Sequence, residues 1–297
     1  MKRTILSAFV LVALVGAFVA APALADVNIG VLAKRGAPQC MQQWGATGQY
    51  LSEKLGTPVK IVPLKFEAIK PSVESGQVDF VLANSAFYVE LEKEFGCRAV
   101  ATLVNSRNGN ALKEFGGVVF VKADSPITTL ADIKGKKFMV VKKSSFGGAQ
   151  MAWRLLKENG IDPETDCAEF LFGNKHDNVV LAVRNGACDA GSVRSDTLER
   201  MADEGKISMD EFRVINKVDD DFPFVHSTRL YPEWPLAACK SADPAVVAQV
   251  VQALLALQPT DTAAQSAKIV GWTEPLDYGP VRECLTIIQY GTFAGIQ

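Results

Sequence analysis

Ser144 and Ser145, followed by Phe146, Gly147 and Gly148, stand between an apolar run at 137–141 and an amphipathic stretch. Strand, short polar turn, then helix is an arrangement that aims backbone N–H groups at an anion. The first four amides of a helix have no internal partner, and the macrodipole adds about half a positive charge there. The two hydroxyls would add donors, and the glycines would let a ligand approach the backbone. The plainer alternative is an ordinary helix cap, for which Ser and Gly are common choices. Other chemistry has little local support. The chain has two histidines, His176 and His226, and six cysteines with no C-x-x-C or C-x-x-H spacing. Neither a metal site nor thioredoxin-like chemistry is therefore expected. "SSFGG" is not a G-x-S-x-G elbow, and no motif places a general base. No catalytic residue, cofactor or metal is expected, and anion binding leads over enzymatic chemistry.

The elements that must position this turn alternate. Strands are expected at 27–32, 59–64, 78–83 and 98–104, with helices at 39–55, 67–75 and 85–95 between them. After the apolar stretch 116–127 the alternation restarts, with strands at 137–141, 168–172 and 188–193 and helices at 147–159, 176–185 and 196–204. Two helices close the chain near 244–257 and 279–290. This is the pattern of an α/β protein with mostly parallel sheets. An internal echo supports two like lobes: Val, Gly, Asp and Ser recur at 73/183, 76/186, 79/189 and 85/195. Each set spans a helix end, a strand and the next helix start. Ligands of open α/β sheets bind at the carboxyl ends of strands. Facing lobes would then bring Asn84 and Ser85, Arg194 and Ser195, and the Ser144–Ser145 turn to one cleft. Arg194 would be the strongest single anion contact, because a guanidinium grips an oxyanion with two donors. Lys34 and Arg35, at the end of the first strand, are further candidates, as are Tyr88, one turn into its helix, and His226 and Tyr231. Trp44, Trp153, Trp234 and Trp272 read as packing residues.

The first 25 residues combine Lys2 and Arg3, an apolar run from Ile5 to Ala21, and an Ala23-Leu24-Ala25 cleavage signal. That is the pattern of a Sec-type signal peptide, which predicts export and a mature start near Asp26. Without Lys2 and Arg3, 29 basic residues face 33 acidic ones, which argues against a nucleic-acid partner. A mature chain of about 270 residues suits two lobes rather than one core. Six cysteines fit an oxidising compartment. Cys167 and Cys188 fall in the second lobe and Cys40, Cys97, Cys239 and Cys284 in the first; all six are disulfide candidates of undetermined connectivity.

Ordered stretches, among them "IGVLAKRG", "VDFVLANSAFYVELE", "FGGVVFVKADSPITTLADIKGK", "SFGGAQMAWR", "FPFVHSTRLYPEWP" and "GWTEPLDYGPV", give the chain a resemblance to a known family. It resembles the periplasmic phosphate/phosphite/phosphonate solute-binding proteins of ABC importers, and more closely the extracytoplasmic sensing domains of tetrathionate-type histidine kinases. The resemblance implies a type II periplasmic-binding-protein fold, with lobe 1 at 26–119 and 226–297, lobe 2 at 120–225, and two crossovers between them. It implies a monomer that closes on a small anionic ligand and docks to an ABC permease or a membrane histidine kinase. The family's hydroxyl-rich turn Ser-Thr-Ser-Gly falls on Ser144, Ser145, Phe146 and Gly147. Its ligand histidine falls on His176, its acidic ligand residue on Asp196, and two ligand tyrosines on Phe66 and Phe115. Three hydroxyls are thus replaced by phenylalanine, which suits a larger, softer or partly apolar ligand.

Overall fold

The computed structural model describes residues 26–295, so the expected signal peptide lies outside the described residues. In chain order the elements are β1 (Val27–Leu32), α1 (Ala37–Leu55), β2 (Val59–Leu64), α2 (Ile69–Glu74), β3 (Phe80–Leu82), α3 (Ser85–Phe95), β4 (Arg98–Arg107), β5 (Asn110–Leu112) and β6 (Glu114–Phe115). They continue with β7 (Gly117–Lys122), β8 (Lys137–Val140), α4 (Met151–Glu158), α5 (Pro163–Asp166), β9 (Glu169–Phe172), α6 (His176–Arg184), β10 (Ala190–Arg194), α7 (Thr197–Asp203) and β11 (Phe212–Ile215). The last are β12 (Tyr231–Pro232), β13 (Pro235–Ala238), α8 (Pro244–Leu255), α9 (Thr262–Ala267), β14 (Ile269–Thr273) and α10 (Gly279–Ile287).

Two sheets build two lobes. The first runs β14-β4-β13-β3-β1-β2, with β5 added beside β4; the second runs β11-β7-β10-β8-β9. Each has a parallel set at one end, β3-β1-β2 and β10-β8-β9, as the alternation predicts. Neither is mostly parallel, however. β13 enters the first sheet antiparallel between β3 and β4, β14 joins antiparallel beside β4, and β7 and β11 join the second sheet antiparallel. β7 and β13 enter directly from the other lobe without a crossover helix, whereas β11 and β14 follow α7 and α9 within their own lobes. Pro63 sits in β2, an edge strand, where a missing N–H costs no ladder bond. β13 and β14 escape sequence reading because "PLAA" and "IVGWT" are short and carry no alternation of their own.

The internal echo has a structural meaning. Gly76 and Gly186 both take left-handed conformations, φ 69° and 72°, which end the preceding helix without Cβ strain. Asp79 Oδ2 accepts the Asn28 N–H and Asp189 Oδ2 accepts the Lys137 N–H, each at 2.8 Å. Each lobe thus ties the start of its first parallel strand to the same carboxylate position.

The lobes meet at two neighbouring crossovers. Phe115 pairs with Tyr231 and Glu114 with Pro232 in a short ribbon. Gly117 N–H donates to Thr228 Oγ1 at 2.9 Å, and Ser227 N–H to the Gly117 carbonyl at 2.8 Å. Behind the ribbon, α10 packs on α4: buried Arg154 bonds Glu283 at 2.7 Å and the Tyr231 hydroxyl at 3.3 Å.

Candidate functional site

β1, β4 and β10 deliver their last residues to one place. Leu32 ends β1, and Lys34 follows in the turn before α1. Arg107 ends β4, three residues past the expected end of that strand, and Arg194 ends β10. A small cavity, open to solvent, lies between them, lined among others by Lys34, Trp44, Asn105, Arg107, Arg194 and Trp234. Of the residues expected to meet a ligand, Arg194, Lys34 and Arg35 line it. Trp44, Trp234, Arg107, Asn105 and Glu233 also line it and were not among the candidates. Extending the strand-end rule to β4 would have found Arg107. Trp234 and Glu233 lie in the return segment before β13, and no sequence signal places that segment opposite β1.

The electrostatics of this cavity are dominated by five groups. Arg194 is 7% exposed, stacks 4.0 Å over the Phe115 ring and makes a two-pronged ion pair with fully buried Glu233. Its Nε has no hydrogen-bond partner and sits 3.7 Å from Asp196 Oδ1. Glu233 also accepts from Asn105. Arg107 Nε bonds Asp196 Oδ2 at 2.7 Å. Burial would raise Asp196, but Arg194, Arg107 and Lys34 overcome it and hold its carboxyl below the usual range. Lys34 has no carboxylate partner among the described residues; its ammonium lies 5.0 Å over the Trp234 ring. Burial, and after it the Arg194 and Arg107 cations, pull Lys34 down to about 7. Three basic groups thus face two acidic ones, and the unpaired one is poised between charge states.

His176 belongs to the same cluster. Its Nδ1 accepts the Arg194 N–H at 3.3 Å. Burial and the Lys34 cation lower it to about 3, so the imidazole is neutral at physiological pH. Asp196 takes a left-handed φ of 72°, a conformation that Asp tolerates better than most residues. The hydroxyl turn borders this cluster. A Cβ built on Gly148 would stand 2.8 Å from both Ser145 Oγ and His176 Cε1, and one on Gly147 would stand 2.8 Å from Phe115 and 3.2 Å from Arg194 Cβ. These contacts are why the turn is glycine. The helix it opens starts as a π-turn over Phe146–Gln150, with Gln150 N–H bonded to the Ser145 carbonyl at 3.2 Å, before α4 begins at Met151. Ser145 is buried and its hydroxyl has no protein partner among the described residues; Ser144 is half-buried.

Several expected ligand residues have other occupations. Asn84 caps α3, its Oδ1 accepting the Ala86 and Phe87 N–H groups at 3.1 Å, while its Nδ2 crosses the cleft to the Ser144 carbonyl at 3.1 Å. Ser85 Oγ donates to the Pro232 carbonyl at 2.7 Å, and the echoed Ser195 Oγ accepts the Gly116 N–H at 3.0 Å. Both serines fasten crossovers, one each. Tyr88 is core: its hydroxyl bonds Glu92 at 2.7 Å and its ring meets Tyr278 edge-on at 4.8 Å. His226 is buried at the second crossover, bonded to the Thr228 carbonyl at 2.7 Å and Asp220 at 3.0 Å, away from the cavity lining. Phe146 is fully buried against Phe115 and Tyr231. Phe66 lies under the Lys142 ammonium at 5.2 Å, a contact between lobes. Among the described residues no group of three or more His, Cys, Asp or Glu side chains is placed to hold a metal ion.

Residues 29–277 match the family model of the ABC transporter, phosphonate, periplasmic substrate-binding protein. The chain belongs to that family. It is 33% identical over 229 residues to the tetrathionate sensor histidine kinase TtrS of Salmonella typhimurium, covering 76% of this chain and 39% of that protein. The chain therefore spans about two-fifths of the length of that relative. Among solved structures, PhnD1 from Prochlorococcus marinus in complex with methylphosphonate superposes with TM-score 0.70 at 15% identity, over 88% of this chain and 97% of that one. The binding protein component of an ABC phosphonate transporter from Pseudomonas aeruginosa gives TM-score 0.72 at 17% identity, over 89% and 86%. These two likenesses show the two-lobed α/β fold. The family is one of substrate-binding proteins, named as periplasmic.

Proposed function

We propose that the protein captures a small oxyanion in the cleft where β1, β4 and β10 end, for delivery to an ABC importer. The observation that carries this is Lys34: a half-buried ammonium beside Arg107 and Arg194, with no carboxylate of its own. An anion placed there supplies the missing counter-charge. Trp44 and Trp234 suit a ligand whose remainder is apolar or polarisable, such as a phosphonate, a sulfur oxyanion or an organosulfonate. Neutral His176 meets the Arg194 N–H behind this site and Ser145 stands near it, both outside the present cavity lining; closure on a ligand would bring their polar groups to bear. The chain acts as a monomeric binding protein in the periplasm, without catalysis, cofactor or nucleic acid, and closes by hinge motion at the paired crossovers.

A thermal-shift screen against phosphate, phosphite, phosphonates, sulfate, thiosulfate, tetrathionate and organosulfonates tests it. A ligand at a hundred times its Kd adds about 2.7 kcal/mol of stability. At least one anion is expected to raise the midpoint in the wild type and not in Lys34→Met. If no anion shifts it, or if the variant responds like the wild type, the reading is overturned.

A second reading rests on the relative named as a tetrathionate sensor: the liganded form is read by a membrane histidine kinase instead of a permease. Deleting the gene separates the two. Loss of ligand uptake marks transport, whereas loss of ligand-induced transcription with uptake intact marks sensing.

A further inference from the structure

The six cysteines are thiols in the structure, and their placement is unequal. Cys97 follows Gly96, the left-handed cap of α3, and leads into β4; Cys239 follows the last residue of β13. β13 and β4 are antiparallel, with Ala238 opposite Arg98. Continuing that register by one residue places Cys239 opposite Cys97. Directly opposed residues of an antiparallel pair have Cα atoms about 4.5–5.5 Å apart, within the span that a disulfide bridges. The Cys239 N–H still bonds the Asp79 carbonyl at 2.8 Å, so the backbone is held to the end of the ladder. Both side chains are buried in the same cluster, 2% and 6% exposed. The proximity of the two thiols lowers Cys97 and raises Cys239.

The other four cysteines have no such partner. Cys167 precedes β9 and Cys188 precedes β10, and β8 lies between those strands. Two strand spacings separate them by about 10 Å, beyond disulfide reach. They also pack with different core clusters of the second lobe. Cys40 points at the Val31 carbonyl at 4.0 Å and Cys284 at the Gln150 carbonyl at 3.7 Å. The expectation of staples throughout both lobes is thereby narrowed to one pair.

We propose that Cys97 and Cys239 form a single structural disulfide in the exported protein, closing the chain at the base of lobe 1. The step is an exchange with a disulfide oxidant of the export compartment. The Cys97–Cys239 S–S bond forms, both S–H bonds break, and two electrons and two protons reduce the oxidant's disulfide to two thiols. The closed loop contains everything from β4 to β13, hence both crossovers and the whole second sheet. β4 runs in the same direction as β3, since both are antiparallel to β13. The staple therefore sits at the end of the sheet remote from Lys34 and the cleft. It constrains the unfolded chain, for which a long loop matters most, and leaves the ligand site untouched. Its formation in the cell rests on the proposed periplasmic location; its geometry does not.

Two arms separate these. In the first, the full chain is purified reduced and oxidised with glutathione disulfide, then peptide-mapped. The expected product carries one 97–239 link, with Cys40, Cys167, Cys188 and Cys284 unlinked. A different linked pair, or only mixed disulfides with glutathione at Cys97 and Cys239, overturns the assignment. In the second, the protein is recovered from the periplasm without reductant. The same link is expected there, with a thermal midpoint at least about 5 °C above that of Cys97→Ser/Cys239→Ser and unchanged anion affinity for the double variant. A link made in vitro but missing from exported protein overturns its formation in the cell and points to the location instead. Weakened anion binding in the double variant overturns the remote structural role.

Discussion

Arg194 and Glu233 form a two-pronged ion pair between the end of β10 in lobe 2 and the return segment of lobe 1. The guanidinium that the sequence offered as an anion clamp is thus already matched by a carboxylate, and it ties the lobes together. Removing one member of a buried pair strands the other. Glu233→Gln is expected to lower stability by about 3–5 kcal/mol in urea unfolding, and to strengthen binding of simple anions by freeing Arg194. An unchanged unfolding midpoint would show that the pair is not held in solution.

Lys34 makes anion binding depend on pH. With burial and its cationic neighbours holding it at about 7, the free site is mostly neutral at pH 8. A bound anion favours the charged form, so binding takes up a proton and affinity rises as pH falls from about 9 to 7, then levels off. Calorimetry at pH 8 in two buffers of different ionisation enthalpy should register that proton, and Lys34→Met should abolish it. The same group acts oppositely on the unliganded fold. Its pKa is depressed below the unfolded value, so the unfolded chain binds more protons between about pH 7 and 10, and the contribution of Lys34 to stability rises with pH there.

Ser145 offers a buried hydroxyl beside His176. If it donates to the charged end of the ligand, Ser145→Ala weakens binding by roughly 1.5–3 kcal/mol, ten- to more than a hundred-fold. Equal affinities by calorimetry would reduce the turn to a helix start.

Asn84 is both cap and latch. Asn84→Ala removes the α3 cap, a loss of about 1 kcal/mol, and the bond to the Ser144 carbonyl. Small-angle scattering of the unliganded variant is expected to show a larger radius of gyration than the wild type, with the difference vanishing at saturating ligand.

Asp79 and Asp189 test the internal repeat. Both accept one strand N–H at 2.8 Å, but Asp79 is half-buried and Asp189 exposed. Asp79→Ala should cost about 1–3 kcal/mol and Asp189→Ala less than 1, by chemical unfolding. The reverse order would refute the equivalence of their roles.

Alternation, helix caps and the offset echo were legible in the chain because each depends on neighbours within a few residues. The span of α3 from Ser85 to Phe95, the β1 and β2 strands, and the paired Gly76/Gly186 and Asp79/Asp189 all follow from local periodicity, left-handed glycine and repeated topology. The resemblance to the solute-binding family followed from the same ordered stretches. Local sequence did not say that β4 runs on to Arg107, that 235–238 returns as a central antiparallel strand, or that Trp234 and Glu233 face Lys34. The last two of these relations join residues about 130 to 200 positions apart. They are decided by which strand inserts between which, a choice governed by burial across the whole sheet. For the same reason Ser85 and Ser195 read as ligand groups in sequence and are crossover anchors in the fold: a hydroxyl's partner is set by the backbone that tertiary structure brings to it.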